Sequence, residues 1–142
     1  MELTPSLQIV LDKASCEKQW TVSCYILGKQ LKCPGFKNAC IDLLITNFKI
    51  SHNLFNSIAG LNPFAIELVF NNTESACALQ RLVADNAIYL YAYYPKSSID
   101  EDMREDYRRE FMLQMANAGV RLARSGFPVT ASWNKPRTVY HE

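Results

Sequence analysis

Histidine and glycine are the scarce residues of this 142-residue chain, and each scarcity closes off chemistry. His52 and His141 are the two histidines, so no cysteine–histidine cluster offers the four spaced ligands of a tetrahedral zinc site. Five scattered glycines form neither a Gly-x-x-x-x-Gly-Lys-Ser/Thr loop nor a Gly-x-Gly-x-x-Gly loop for phosphate. The Gly-x-Ser-x-Gly elbow of a serine hydrolase is missing too. A Cys–His nucleophile pair would have to recruit His52 with one of the five cysteines, of which Cys33 and Cys40 are nearest in sequence. Thiols packed as small hydrophobes are the simpler reading. No stretch approaches the roughly eighteen apolar residues of a membrane span. The opening Met1-Glu2-Leu3-Thr4-Pro5 has neither the basic start nor the apolar run of a signal peptide. Five cysteines, odd in number and without a Cys-x-x-Cys pair, then read as reduced thiols of a cytoplasmic protein. Neither charge sign dominates: 15 basic against 14 acidic residues argue against a general nucleic-acid binder.

What is present is an ordinary globular composition, 49% hydrophobic and 20% charged. A single domain over residues 1–142, with a polar tail from about 134, can bury roughly two thirds of its unfolded surface. No metal or cofactor is required, and none is expected.

Residues 7–13 and 19–27 read as two strands joined by the polar loop 14–18, since Trp20, Val22, Cys24 and Ile26 alternate with Thr21, Ser23, Tyr25 and Leu27. Residues 37–50 fit either periodicity, and Ile41, Leu44, Ile45 and Phe48 tip them towards a helix. Gly60-Leu61-Asn62-Pro63 marks a turn before a third strand, Phe64 to Phe70. A helix capped by Asn72 or Thr73 runs to Val83, and Asp85-Asn86 turns the chain into a fourth strand over 87–94. A long C-terminal helix spans about 98–125. Ser98 and Glu101 make its capping box, Asp100 and Asp102 complement its dipole, and Gly126 with Pro128 stops it. Its apolar stripe is Met103, Tyr107, Phe111, Met115, Ala118, Gly119 and Leu122. Leu113, Ala116, Val120 and Ala123 form a second apolar side, which predicts a helix sandwiched between elements. Val129 to Trp133 adds a short edge strand. The expected fold is α+β, a mainly antiparallel sheet packed by two or three helices.

The segment Gln114-Met115-Ala116-Asn117-Ala118-Gly119-Val120-Arg121-Leu122-Ala123 resembles the closing helix of a family of three-zinc nucleases. Those enzymes hold zinc with many histidines and aspartates, which two histidines cannot replace, so the resemblance implies close helix packing and no activity.

Function is read from the tyrosines. Tyr89, Tyr91 and Tyr93 at period two would share one strand face, and tyrosine combines large contact area with a polar tip. With Arg104 and Arg108 as rim contacts, the leading expectation is a small binding protein acting on another protein, in an inhibitory or regulatory role, or on a second copy of itself. A small-molecule pocket or enzyme site built on Tyr25, His52 and Glu67 is the alternative. Single-stranded nucleic acid stacked on the tyrosines ranks third. The acidic group Asp100, Glu101, Asp102, Glu105 and Asp106 reads as a solvated helix start and not as a magnesium site.

Overall fold

The computed structural model describes residues 5–55, 61–93, 109–126 and 130–142. Among these residues every regular element is helical and there is no strand. Five helices follow one another: α1 (Pro5–Gln30), α2 (Pro34–Phe55), α3 (Pro63–Asn72), α4 (Ala78–Tyr93) and α5 (Arg109–Ser125). Two single 3-10 turns, Ser132–Asn134 and Arg137–Tyr140, close the chain.

The expected antiparallel sheet is therefore corrected to a helical fold. Both strands placed in the first thirty residues, and the loop between them, belong to the single 26-residue helix α1. Its buried face is Lys18, Thr21, Val22 and Tyr25, which is helical spacing. The third strand is α3, where Ala65, Ile66, Val69 and Phe70 are buried while Phe64 is exposed. The fourth is the second half of α4: Leu79, Leu82, Val83, Asn86 and Leu90 are buried at i, i+3, i+4, i+7 and i+11. Asp85 and Asn86 lie inside that helix and make no turn. Ser132 and Trp133 of the expected edge strand belong instead to the 3-10 turn Ser132–Asn134.

The helix boundaries have local causes. At the end of α1, Cys33 N–H donates to Gly28 O at 3.0 Å and Lys32 N–H to Lys29 O at 3.1 Å. Lys32 sits at φ +53. These are the paired bonds of a Schellman stop, with lysine in the left-handed position usually given to glycine. Pro34 then opens α2. Asn62 caps α3, its side chain accepting from Ala65 N–H at 2.8 Å, and Pro63 occupies the first turn, where a missing N–H costs nothing. Gly126, at φ +85, ends α5 with its N–H on Leu122 O. The capping-box residues Ser98 and Glu101, the acidic group 100–106 and the first part of the long C-terminal helix lie outside the described residues.

Ile41, Leu44, Ile45 and Phe48 of α2 are all buried to 1% exposure or less and pack against Val22 and Tyr25 of α1 and the apolar faces of α3 and α4 in one cluster. From α5, Phe111, Met115 and Ala118 are buried, and the Phe111 ring meets Phe70 edge-on at 6.0 Å. The second apolar side of α5 is not sandwiched: Leu113, Ala116, Val120 and Ala123 are exposed. The α3–α4 junction is pinned by a buried glutamine. Gln80 accepts from Ala76 N–H, donates to Thr73 Oγ1 and accepts from Gln114 of α5.

Lys18 is 3% exposed, and burial lowers its amine from 10.5 to about 8. The unfolded chain keeps this proton to higher pH than the folded one, so the lysine costs stability below pH 8 and the cost fades as pH rises towards 10.5. A displacement from 10.5 to about 8 corresponds to on the order of 3 kcal/mol. We expect Lys18→Met to unfold at higher urea than the parent at pH 7, by roughly 1–3 kcal/mol. That advantage should shrink between pH 8 and 10.5; a constant or growing advantage contradicts the assignment.

Candidate functional site

The inward faces of α1 and α2 leave two outward faces that are also apolar. On α1, Trp20 and Leu27 are seven residues apart and share one side, and Leu31, four residues on, follows just past the end of the helix with its N–H on Leu27 O. Trp20 is 69% exposed and Leu31 66%. On α2, Phe36, Leu43 and Ile50 repeat at seven and are likewise exposed. The two stripes meet. Trp20 and Leu43 line one open groove of about 530 Å³ with Cys16, Glu17, Thr21 and Asn47. Nearer the turn, Phe36 rests on Gly28, where a Cβ would lie 2.7 Å from the ring. Glycine there lets the two helices and the Phe36 ring approach closely. Single exposed apolar side chains are ordinary; six on one side of the hairpin make this the candidate contact surface.

A second feature is the way the segment 131–142 is held. Tyr25 O–H donates to Glu142 Oε1 at 2.9 Å, Lys37 pairs with Glu142, and Glu142 and Asn38 exchange backbone-to-side-chain bonds. His141 lies 2.8 Å from Asp42, while Arg137 donates to Asp42 O and Thr46 Oγ1. The buried Tyr140 donates to Asp85 of α4 at 2.7 Å. Burial first, then the Asp85 charge and hydrogen bond, push the Tyr140 phenol up. The Tyr25 phenol is pushed up by burial first, then by its neighbours Cys77 and Glu142. Burial alone would raise the Glu142 carboxyl, but the hydrogen bonds from Lys37 and Tyr25, the Lys37 charge and the Ala78 N–H bring it below its ordinary value.

The residues singled out in the sequence are dispersed. Tyr89 is half-buried in an aromatic group with His52 and Trp133, centroids 5.0–5.8 Å apart. It joins α4, α2 and the first 3-10 turn. The backbones of Tyr91 and Tyr93 continue α4, where residues two apart diverge by about 200°, so the three tyrosines form no common row. The side chains of Tyr91 and Tyr93, and Arg104 and Arg108 entirely, lie outside the described residues. Tyr25 is buried against Glu142, His52 stacks in the aromatic group, and Glu67 is exposed on α3. None of these three lines the groove at Trp20. A strand over 19–27 hides the outward stripe of α1, because it puts Trp20 and Leu27 on opposite faces. The sevenfold spacing of Phe36, Leu43 and Ile50 was a signal in the sequence that could have revealed the stripe of α2.

Among the described residues no three His, Cys, Asp or Glu side chains are grouped to hold a metal, and no helix is long and apolar enough to cross a membrane. The five cysteines are free thiols, Cys16 and Cys33 exposed. Comparison with protein-family models, curated proteins and solved structures finds no match to this chain.

The Glu142 clip makes a pH prediction. A carboxyl held below its unfolded value stabilises the fold above the unfolded pKa, and that contribution is lost as pH falls through the folded value. Between neutral pH and acid, the parent should lose more stability than Glu142→Gln, followed by urea unfolding at each pH. Equal losses would show that the clip contributes nothing.

Proposed function

We propose that this protein acts by binding another protein, with the outward face of the α1–α2 hairpin as its contact surface. The observation that carries the reading is the pair of adjoining stripes Trp20–Leu27–Leu31 and Phe36–Leu43–Ile50, all solvent-exposed. Tryptophan and phenylalanine on such a face supply the large rigid contacts that dominate binding energy.

The sevenfold repeat specifies the shape of the partner. Side chains at every seventh position form a seam along a helix, and the element that fits it is another helix with apolar residues at matching intervals. From Phe36 to Ile50 the seam runs about 21 Å at 1.5 Å per residue, close to four turns. The partner is therefore an amphipathic helix lying along the hairpin, its apolar side over the groove between Trp20 and Leu43. Five unpaired thiols suit a reducing compartment, and a cytosolic setting is part of this proposal.

A photoreactive residue in place of Leu43, with a second variant carrying it at exposed Glu67 as control, tests the reading in extract from the source cells. We expect one discrete adduct at position 43, mapping to a partner segment with apolar residues at i, i+3 or i+4 and i+7, and its loss when Trp20→Glu and Leu27→Glu are added. An adduct of twice the chain mass assigns the partner helix to a second copy. Equal adducts at both positions, or indifference to the two glutamates, contradict the proposal.

A further inference from the structure

Away from the hairpin face, α4, α5 and the closing segment border an open cavity of about 450 Å³ with an uneven charge. Arg81 of α4, Arg121 of α5 and Lys135 all line it, and among the described residues the one carboxylate on its wall is Asp85. Two positive charges are thus left unmatched. Asp85 is itself committed, accepting from Tyr140 O–H at 2.7 Å. Its pairs with the cations are loose, 3.8 Å to Lys135 Nζ and 3.9 Å to Arg121. Loose and partly exposed pairs hold their cations weakly, so both remain able to turn to a stronger acceptor. Arg81 has no ion-pair partner among the described residues.

The rest of the wall defines the other end of a ligand. Ile88, Leu122 and Val139 present apolar surface, and the volume falls within the range of small-molecule sites. Guanidinium groups bind planar or tetrahedral oxyanions through paired N–H donors. A phosphate monoester carries close to two negative charges at neutral pH, which matches the unmatched charge of the wall. From this cavity we infer that the protein binds a small phosphate monoester, its phosphate on Arg81, Arg121 and Lys135 and its apolar body against Ile88, Leu122 and Val139. The site is independent of the α1–α2 face, and neither assignment stands or falls with the other.

Calorimetric titration of the full chain with phenyl phosphate, inorganic phosphate and benzoate tests the inference. We expect saturable binding of phenyl phosphate, weaker binding of inorganic phosphate, and benzoate weaker by about tenfold or more because it carries one charge. Arg81→Ala with Arg121→Ala, both at exposed positions, should weaken phenyl phosphate by about tenfold or more while leaving the thermal unfolding midpoint close to the parent's. Vesicles containing phosphatidic acid, compared with phosphatidylcholine alone, separate a lipid source of the same headgroup from a soluble one. Binding selective for phosphatidic acid and lost in the double variant supports the site with a lipid ligand. Absence of saturable binding to both phenyl phosphate and the vesicles, equal affinity for benzoate, or indifference to the double variant overturns it.

Discussion

The packing of α1 on α2 is the constraint on which the rest of this molecule depends. Two helices of 26 and 22 residues are joined by a tight turn, so they must lie antiparallel along most of their length. That pairing needs only one side of each. Val22 and Tyr25 meet Ile41, Leu44, Ile45 and Phe48, and the same cluster takes up the apolar faces of α3, α4 and α5. Burial of large aliphatic and aromatic side chains contributes roughly 1.5–3 kcal/mol each, and this cluster therefore dominates the stability of the fold. The outer sides of α1 and α2 play no part in it, which leaves their apolar residues available to another molecule.

Polar groups divide into two kinds by where they act. Gln80, Asn62 and Thr73 serve the backbone at junctions where donors and acceptors would otherwise be stranded. Glu142, Asp42 and Asp85 instead fasten the segment 131–142 to α1, α2 and α4. The fastening has a structural result beyond stability. It sets Lys135 and Tyr140 beside Asp85, and so forms one wall of the cavity between α4 and α5.

What was legible in the sequence was set by how cleanly each helix separates its faces. α2 could be read because Ile41, Leu44, Ile45 and Phe48 recur at helical intervals. α1 could not. Its buried face includes Lys18 and Thr21 while its exposed face carries Trp20 and Leu27, so polarity says little about burial and an alternating pattern can be found by chance. In α4 the buried Gln80 and Asn86 broke the apolar stripe, and Asp85-Asn86 took on the look of a turn. The tyrosines of that helix then suggested a strand through their high β propensity, which tertiary packing overrode. In α3 the alternation of Phe64, Ile66, Leu68 and Phe70 is real, yet Asn62-Pro63 was a helix start read as a turn. The two proposed sites escape the sequence for different reasons. One half of the hairpin face is made of the apolar residues that blurred α1, and the cavity joins Arg81, Arg121 and Lys135, which are far apart in the chain.

The fluorescence of Trp20, isolated by Trp133→Phe, is the most direct test of the claim that the hairpin face is a contact surface. In the free protein the account predicts long-wavelength emission open to iodide quenching. In complex with the partner identified at position 43, it predicts a shift to shorter wavelength and loss of quenching. Emission and quenching that stay unchanged in that complex would contradict it.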